Sequence, residues 1–156
     1  MEPLNLPTYL FRLKEDRGKK YIFDEIRRRF VLLTPEEWVR QHVINFLVQV
    51  KNFPRNLISI EKGFNQNRNR QRYDLLIYNN LGNPMMIVEC KAPGVEINQQ
   101  VFDQAGRYNN RHKANYMLIT NGVKHYCCMI NLQNRQYAFL NDVPDYSSMM
   151  AVIVQK

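Results

Sequence analysis

The sequence predicts an α/β or α+β fold in which a mixed β-sheet is covered by helices. Two segments with apolar residues at helical spacing alternate with short runs rich in β-branched and aromatic residues, and this order is typical of such folds. The chain has 156 residues, 45% of them hydrophobic, and contains no internal repeat or Gly/Ser linker. A single domain over residues 1–156 with a buried core is therefore expected.

The first part of the chain is expected to lack helices. Residues 1–20 contain prolines and many charges and predict an irregular N-terminal arm. Residues 21–33 predict extended structure, which the basic run at 27–29 interrupts.

A helix with a clear start signal follows. Thr34 suits the N-cap, Pro35 suits the first helical position, and Glu37 completes a T-x-x-E capping box. The helix should end near Lys51, ahead of Pro54. Its buried stripe is expected to comprise the apolar residues at helical spacing, namely Val39, Val43, Phe46, Leu47 and Val50.

The rest of the chain predicts strands that are interrupted by one helix. In chain order these segments are a strand at 57–64, a polar basic loop at 65–71, strands at 73–78 and 85–91, a helix at 98–111, and strands at 116–120, 123–130 and 136–140. Asn121-Gly122 is a strong hairpin signal between two of these strands.

The two strands around the turn N-N-L-G-N-P carry the candidate chemistry. If they pair about Leu81-Gly82, positions whose numbers sum to 163 lie opposite each other, so Asp74 faces Glu89. Directly opposed like charges are destabilising. A divalent ion such as Mg²⁺, which prefers oxygen ligands, would relieve the repulsion. Pro84 could shift this register.

Strand alternation places Glu89 and Lys91 on one face and Cys90 on the other. The preceding run M-M-I-V is apolar, as expected for a strand buried on both faces. An ordinary Glu–Lys pair at a strand end explains E-C-K when it is taken alone. Asp74 at the matching register and the basic surroundings favour a functional site.

Taken together and in order, these motifs resemble the PD-(D/E)xK nuclease superfamily. R-Y-D-L-L-I-Y and then P-M-M-I-V-E-C-K-A-P are similar to its core motif, with Tyr73 where the superfamily name implies proline. T-P-E-E-W-V-R-Q, F-D-Q-A-G-R-Y-N and T-N-G resemble the N-terminal nuclease domain of type I restriction enzyme R subunits, in its stand-alone form. The resemblance spans residues 21–125 and implies a restriction-endonuclease-like mixed sheet flanked by helices.

The resemblance also implies roles for the core residues. Asp74, Glu89 and the backbone carbonyl of Cys90 would bind Mg²⁺, for which Mn²⁺ could substitute. Lys91 would orient or help deprotonate the attacking water and offset charge at the phosphate. A metal lowers the pKa of its bound water and stabilises the charge of an in-line displacement, which is consistent with these roles.

Two helices could supply further residues. Glu36 is not needed for capping, and in many superfamily members a Glu from the first helix joins the metal shell; a first-turn Glu that complements the helix dipole is the alternative. Gln104 and Tyr108 match a Q-x-x-x-Y element that resembles one found after the ExK strand in related nucleases, and Arg111 continues their row. They could position the catalytic site and DNA, or merely form a hydrogen bond on the helix face.

The charge of the chain points to nucleic acid. Its formal net charge is +8 and its pI about 9.5, an excess that attracts polyanions. Arg68, Arg70 and Arg72 lie in the loop before Asp74 and suit contacts to DNA phosphates. A solvated run of charges is the usual alternative for such a string.

These observations predict a Mg²⁺-dependent deoxyribonuclease with water as the nucleophile. A non-cleaving module that binds nucleic acid or a protein partner and retains the nuclease fold is the alternative. No G-x-x-x-x-G-K-[ST] loop is present, so no nucleotide cofactor is expected. Both a homodimer and association with other subunits are compatible with the sequence.

The expected location is the cytoplasm. No apolar run approaches the roughly 20 residues needed to cross a bilayer, and the first residues do not form a secretion signal. Cys90, Cys127 and Cys128 do not form a disulfide framework. The three histidines have no metal-ligand spacing and are expected to be non-catalytic.

Overall fold

The computed structural model describes residues 2–60 and 74–154. Within these ranges the chain forms a three-stranded antiparallel sheet, a six-stranded mixed sheet and three α-helices. The strands are β1 Leu13–Asp16, β2 Lys19–Asp24, β3 Arg29–Leu32, β4 Ile58–Ile60, β5 Leu75–Tyr78, β6 Pro84–Cys90, β7 Tyr116–Thr120, β8 His125–Ile130 and β9 Tyr137–Leu140. The helices are α1 Pro35–Gln49, α2 Gln99–His112 and α3 Tyr146–Val154, with a 3₁₀ turn at Arg55–Leu57. The predicted α+β, restriction-endonuclease-like class is confirmed.

The larger sheet has the strand order β4-β5-β6-β7-β8-β9. Its described neighbours are antiparallel except for β6 and β7, which are parallel. Parallel strands need a long crossover connection, and α2 provides it between these two. The sheet is therefore mixed, as predicted.

The N-terminal arm is shorter than predicted, because β1 begins at Leu13 and β2 at Lys19. Arg17 and Gly18 have φ values of 51° and 78°, the left-handed backbone of a tight hairpin turn. The prediction was wrong for residues 13–20 because β1 is exposed along its whole length and shows no apolar alternation. It also missed that β1, β2 and β3 form a sheet of their own.

The start of α1 follows the prediction. The Thr34 side chain accepts a hydrogen bond of 3.0 Å from the backbone N–H of Glu37, and Pro35 opens the helix. Of the predicted stripe, Val39, Val43 and Leu47 are buried, but Val50 is 47% exposed. Val50 is the C-cap rather than a helical residue, because the helix ends at Gln49.

Two apolar clusters cover the two faces of the larger sheet. Leu75, Val88 and Cys90 belong to the cluster beneath α1, together with Val39 and other α1 residues. The alternate strand positions, including Leu76 and Ile87, belong to the cluster beneath α2. The sheet is therefore buried on both faces, as the apolar run of β6 predicted.

A C-terminal helix, α3, was not anticipated. Met149 is fully buried in the α1-side cluster, and the ring of Tyr146 lies 5.7 Å from that of Phe53. The backbone N–H of Tyr146 donates to Lys51, which attaches the helix beside the end of α1. Its two serines are adjacent near its start and six apolar residues follow, so no polar position recurs at helical spacing.

The three cysteines are free and buried. Burial raises the pKa of both Cys127 and Cys128 to about 12, and the pKa of Cys90 also lies well above its ordinary value. Among the residues described, none of the helices has the length and apolarity to cross a membrane.

Candidate acidic site at the end of strands β5 and β6

The predicted register of the β5–β6 hairpin is confirmed. Leu75 pairs with Val88 and Leu76 with Ile87, so the paired numbers sum to 163. The irregularity lies at the turn end, where Tyr78 pairs with Pro84. Pro84 lacks a backbone N–H, which explains the irregular pairing there. This position lies at the end of the hairpin remote from Asp74.

Asp74 lies immediately before β5 and is buried. Its Oδ2 accepts a 2.6 Å hydrogen bond from the backbone N–H of Cys90, and its Oδ1 accepts one of 2.5 Å from Nη2 of Arg40. Burial raises the pKa of Asp74, although Arg40 and the Cys90 N–H oppose this shift. The carboxylate is thus held next to the β6 strand that carries Glu89.

Arg40 is the main site residue that the sequence prediction missed. It is fully buried on α1, with Nη2 2.7 Å from Oε1 of Glu36 and Nη1 2.9 Å from Oε2 of Glu37. Burial disfavours its charge, but the carboxylates of Asp74 and Glu37 outweigh burial and raise the pKa of Arg40. Its spacing of four and three residues after two glutamates was the available signal.

Glu89 and Lys91 lie on one face, as predicted, and Cys90 packs on the other. Nζ of Lys91 is 3.2 Å from Oε1 of Glu89. Burial, followed by the negative charge of Asp74, raises the pKa of Glu89 to about 7. Although burial lowers it, the pKa of Lys91 is raised overall by Glu89, so Lys91 is an ammonium at neutral pH.

One oxygen of this cluster still lacks a partner. Oε2 of Glu89 is buried and accepts no hydrogen bond from any described part of the chain. A buried carboxylate oxygen without a donor is costly, since it has lost its hydration. This oxygen belongs to a carboxyl group whose pKa is raised to about 7.

Glu36 adds a third carboxylate near the cluster. Its negative charge raises the pKa of both Asp74 and Glu89, although Arg40 also pairs with it. With Glu37, which also pairs with Arg40, four carboxylates lie near two cations, Arg40 and Lys91. The carboxylates of this cluster therefore outnumber its two cations.

The donors fit a hard divalent cation. Carboxylate and carbonyl oxygens suit Mg²⁺, and an ionised carboxylate can accept more than one partner per oxygen. Among the described residues, no three His, Cys, Asp or Glu side chains are close enough to hold a metal by themselves. A bound Mg²⁺ would therefore rely on Asp74 and Glu89, supplemented by the Cys90 carbonyl and water.

A buried polar network extends from Arg40 towards the smaller sheet. Arg27 pairs with Asp24 at 2.6 Å and with Glu37 at 2.7 Å. Gln41 donates to the same two carboxylates, at 2.9 and 3.2 Å. The turn between β2 and β3 is thereby connected to Arg40, and through it to Asp74.

The T-N-G motif holds the segment that follows the site strand. The carbonyl of Thr120 accepts a 2.8 Å hydrogen bond from the backbone N–H of Lys91, and the Asn121 side chain donates to Val95. Gly122 has a φ of 85°, and a Cβ there would lie 2.8 Å from Leu4. The motif therefore fixes the backbone on which Lys91 is carried.

Of the outer predicted residues, Glu36 lies near this cluster, whereas Gln104 of α2 has no described contact with it. Nε2 of Gln104 donates to the Tyr108 hydroxyl at 2.6 Å, and Gln104 and Arg111 are exposed on α2. Among the described contacts, none joins Gln104 to Asp74, Glu89 or Lys91. Arg68, Arg70 and Arg72 lie outside the described residues, and their contact with DNA stays a prediction.

Comparison with known proteins gives one family. Residues 35–144, which are 110 of the 156, match the family described as the type I restriction enzyme R protein N terminus. No curated protein matches the chain. The matched range includes α1, the β5–β6 hairpin and α2, and thus all of the acidic cluster.

Proposed function

Because the chain belongs to the family of type I restriction enzyme R protein N-terminal domains, we propose that it is a Mg²⁺-dependent nuclease that hydrolyses phosphodiester bonds in DNA. The observation that carries the proposal is the buried Oε2 of Glu89 beside Asp74 and Lys91, which accepts no hydrogen bond from the described residues. Strongly perturbed carboxyl groups that converge with a cation are typical of catalytic sites.

The chemistry required is the addition of water to a phosphodiester. The water oxygen forms a bond to phosphorus as the bond from phosphorus to the leaving oxygen breaks. One water proton ends on the leaving oxygen, by way of solvent, so the products are a phosphomonoester and a free hydroxyl. When bound, Mg²⁺ supplies a Lewis acid that acidifies water and offsets negative charge. Asp74, Glu89 and the Cys90 carbonyl would hold it.

Lys91 would act on the phosphate. Without a metal ion, the neighbouring Glu89 raises the pKa of Lys91. In the reaction, Lys91 would offset charge on the phosphate and would orient or help deprotonate the attacking water. In the metal-free protein its ammonium pairs with Glu89. Engagement of Glu89 by a cation would leave Lys91 able to turn towards the substrate.

The test is cleavage of plasmid, linear duplex and single-stranded DNA in Mg²⁺, Mn²⁺ or EDTA. We expect wild-type protein to cleave at least one substrate only with metal, and Lys91→Ala to be slower by about a hundredfold or more. Lys124→Ala, which removes an exposed lysine, is the matched control and should retain activity. Equal rates for wild type and Lys91→Ala on every substrate would refute the proposal.

One observation favours a second candidate, a non-cleaving module that binds DNA or a protein partner. Both oxygens of Asp74 already accept protein donors, from Arg40 and from the Cys90 N–H. The guanidinium of Arg40 could neutralise Asp74 permanently, in place of a metal ion. Binding of DNA without cleavage in either metal, and no effect of Mg²⁺ on thermal stability, would favour this candidate.

A further inference from the structure

The smaller sheet carries much of the positive charge of the chain. Residues 12–32 contain eight Lys and Arg and four Asp and Glu, so their net charge is +4, half of the +8 of the whole chain. They precede residue 35, where the family match begins. The acidic cluster described above does not account for this charge.

The two faces of this sheet have different surroundings. On β2, Ile22 and Asp24 are fully buried, and Asp24 accepts a hydrogen bond from Gln41 of α1. The alternate residues, Tyr21 and Phe23, are only partly buried and belong to neither apolar cluster. Strand alternation therefore directs Tyr21 and Phe23 away from α1, onto an outer face.

The register of β1, β2 and β3 places the side chains of this outer face in two rows across the sheet. Phe23 pairs with Phe30, with their ring centroids 5.2 Å apart, and Arg12 lies over Phe23 at 4.2 Å. In the next row Lys14 pairs with Tyr21, and its Nζ is 4.6 Å from the Phe30 ring. Each row thus places an exposed cation beside an aromatic ring.

We propose that the outer face, defined by Arg12, Lys14, Tyr21, Phe23 and Phe30, binds an unpaired strand of DNA. Arg and Lys neutralise phosphates, and aromatic rings stack on bases irrespective of sequence. Both cations have long flexible side chains, so movement from ring to phosphate uncovers a ring for a base. The face is separate from the proposed cleavage site and adds a second nucleic-acid surface to it.

Stacking selects an unpaired strand over a duplex. A ring on this face can stack on a base only where the face of that base is not covered by its neighbours. The bases of the bound strand must therefore be unstacked and turned outward. A flat sheet face cannot reach the bases inside an intact duplex.

The test is binding of the full chain to fluorescent oligothymidine in EDTA, which removes any dependence on cleavage. Phe23→Leu and Phe30→Leu should each weaken binding by about fivefold or more, since they remove stacking but keep an apolar side chain. Arg12→Gln/Lys14→Gln should reduce the slope of log K against log salt by about 1.4, which corresponds to two lost phosphate contacts on a single strand.

Arg107→Gln/Lys124→Gln is the matched control, because both residues are exposed and lie outside the smaller sheet. It should leave the affinity within about twofold and the ring variants' effect unchanged. The proposal is overturned if the ring variants bind as wild type, if duplex competes as well as the single strand, or if RNA of equal length binds more tightly. Thermal unfolding of each variant checks its fold, and the exposed Arg12 and Lys14 can be replaced without disturbing the core.

Discussion

At the scale of single residues, the buried guanidinium of Arg40 controls the charge balance of the acidic site. It contacts Asp74, Glu36 and Glu37 while being fully shielded from water. A buried ion pair is costly to break from one side, because the remaining charge keeps its desolvation penalty. Arg40 is therefore as important for folding as for the arrangement of the carboxylates.

Replacement of Arg40 should reveal its contribution to the stability of the fold. We expect Arg40→Met to lower the free energy of unfolding by about 3–5 kcal/mol at pH 8, since it leaves buried carboxylates without their cation. Urea unfolding measures the change. Arg55→Met is the control, because Arg55 is half-exposed and its contact with Glu25 is 3.9 Å long, and it should change stability by less than about 1 kcal/mol. Equal losses in both variants would contradict this role.

The raised pKa of Glu89 predicts a pH-dependent stability. In the folded protein this group binds its proton up to about pH 7, whereas in the unfolded chain it is ionised above its ordinary pKa of 4.5. Its contribution is thus fully present below pH 4.5 and is lost as the pH rises through 7.

Glu89→Gln should therefore stabilise the metal-free protein at pH 8, by on the order of 2 kcal/mol, and have little effect at pH 5. The measurement is urea unfolding of both proteins in EDTA at the two pH values. Glu25→Gln, at an exposed position, should show no such difference between them. A Glu89→Gln effect of the same size at both pH values would rule out the buried charge as its origin.

Mg²⁺ bound at Glu89 is expected to offset the destabilisation that ionisation of this carboxyl causes. At pH 8, Mg²⁺ at a hundred times its dissociation constant should stabilise wild-type protein by about 2.7 kcal/mol, by mass action on the folded state. Glu89→Gln and Asp74→Asn should lose most of this gain. Differential scanning calorimetry with and without Mg²⁺ makes the comparison, and an equal shift in all three proteins would place the ion elsewhere.

At the scale of secondary-structure elements, two turns constrain the site from opposite ends. The irregular pairing at Pro84 is kept at the far end of the β5–β6 hairpin, so the carboxylate end retains its register. The T-N-G turn after β7 supports the backbone of Lys91 and approaches the N-terminal arm at Leu4. Neither turn supplies a charged group, yet both determine where the charged groups lie.

Gly122 offers a test of this support. Gly122→Ala should destabilise the protein by about 2–3 kcal/mol, because it combines a left-handed φ of 85° with a contact of 2.8 Å to Leu4. Gly18→Ala isolates the backbone contribution, since Gly18 has a φ of 78° and open space around it, and should cost about 1 kcal/mol. Chemical unfolding of both variants compares them, and equal losses would show that the close contact is unimportant.

At the scale of the whole molecule, the sequence predicted the larger sheet better than the smaller one. The predicted strand ranges overlap β5 to β9, because strongly apolar runs and clear turn residues mark these strands. Extended structure was predicted over residues 21–33, which include most of β2 and all of β3. The strand β1 and the separate sheet were missed, since the exposed, charged β1 lacks an apolar pattern. Helix α3 was missed because the apolar run that forms most of it shows no helical period.

Part of the acidic cluster could likewise be predicted from the sequence, and part could not. Asp74, Glu89 and Lys91 could be placed together because hairpin register and strand alternation are fixed by local geometry. Arg40 could not, because its contact with Asp74 joins residues 34 apart along the chain. Such a contact depends on how α1 packs on the sheet, which no short pattern specifies.

The packing of α3 on the α1-side cluster predicts a global effect of a distant residue. Met149→Ala should lower the free energy of unfolding by about 2–4 kcal/mol, as Met149 is fully buried. Its neighbour Met150 is only partly buried, so Met150→Ala should cost less. Thermal and urea unfolding measure both, and a larger loss for Met150→Ala would contradict this packing.

The labelling rates of the three buried thiols also report local opening of the sheet. A thiol reagent reacts with the thiolate, so groups that are shielded and have a raised pKa react only when the surrounding structure opens. Cys90 lies in the strand of the acidic site, while Cys127 and Cys128 lie in β8. The rate at which each is labelled thus reports how often its own strand separates, and it does so without any engineered probe.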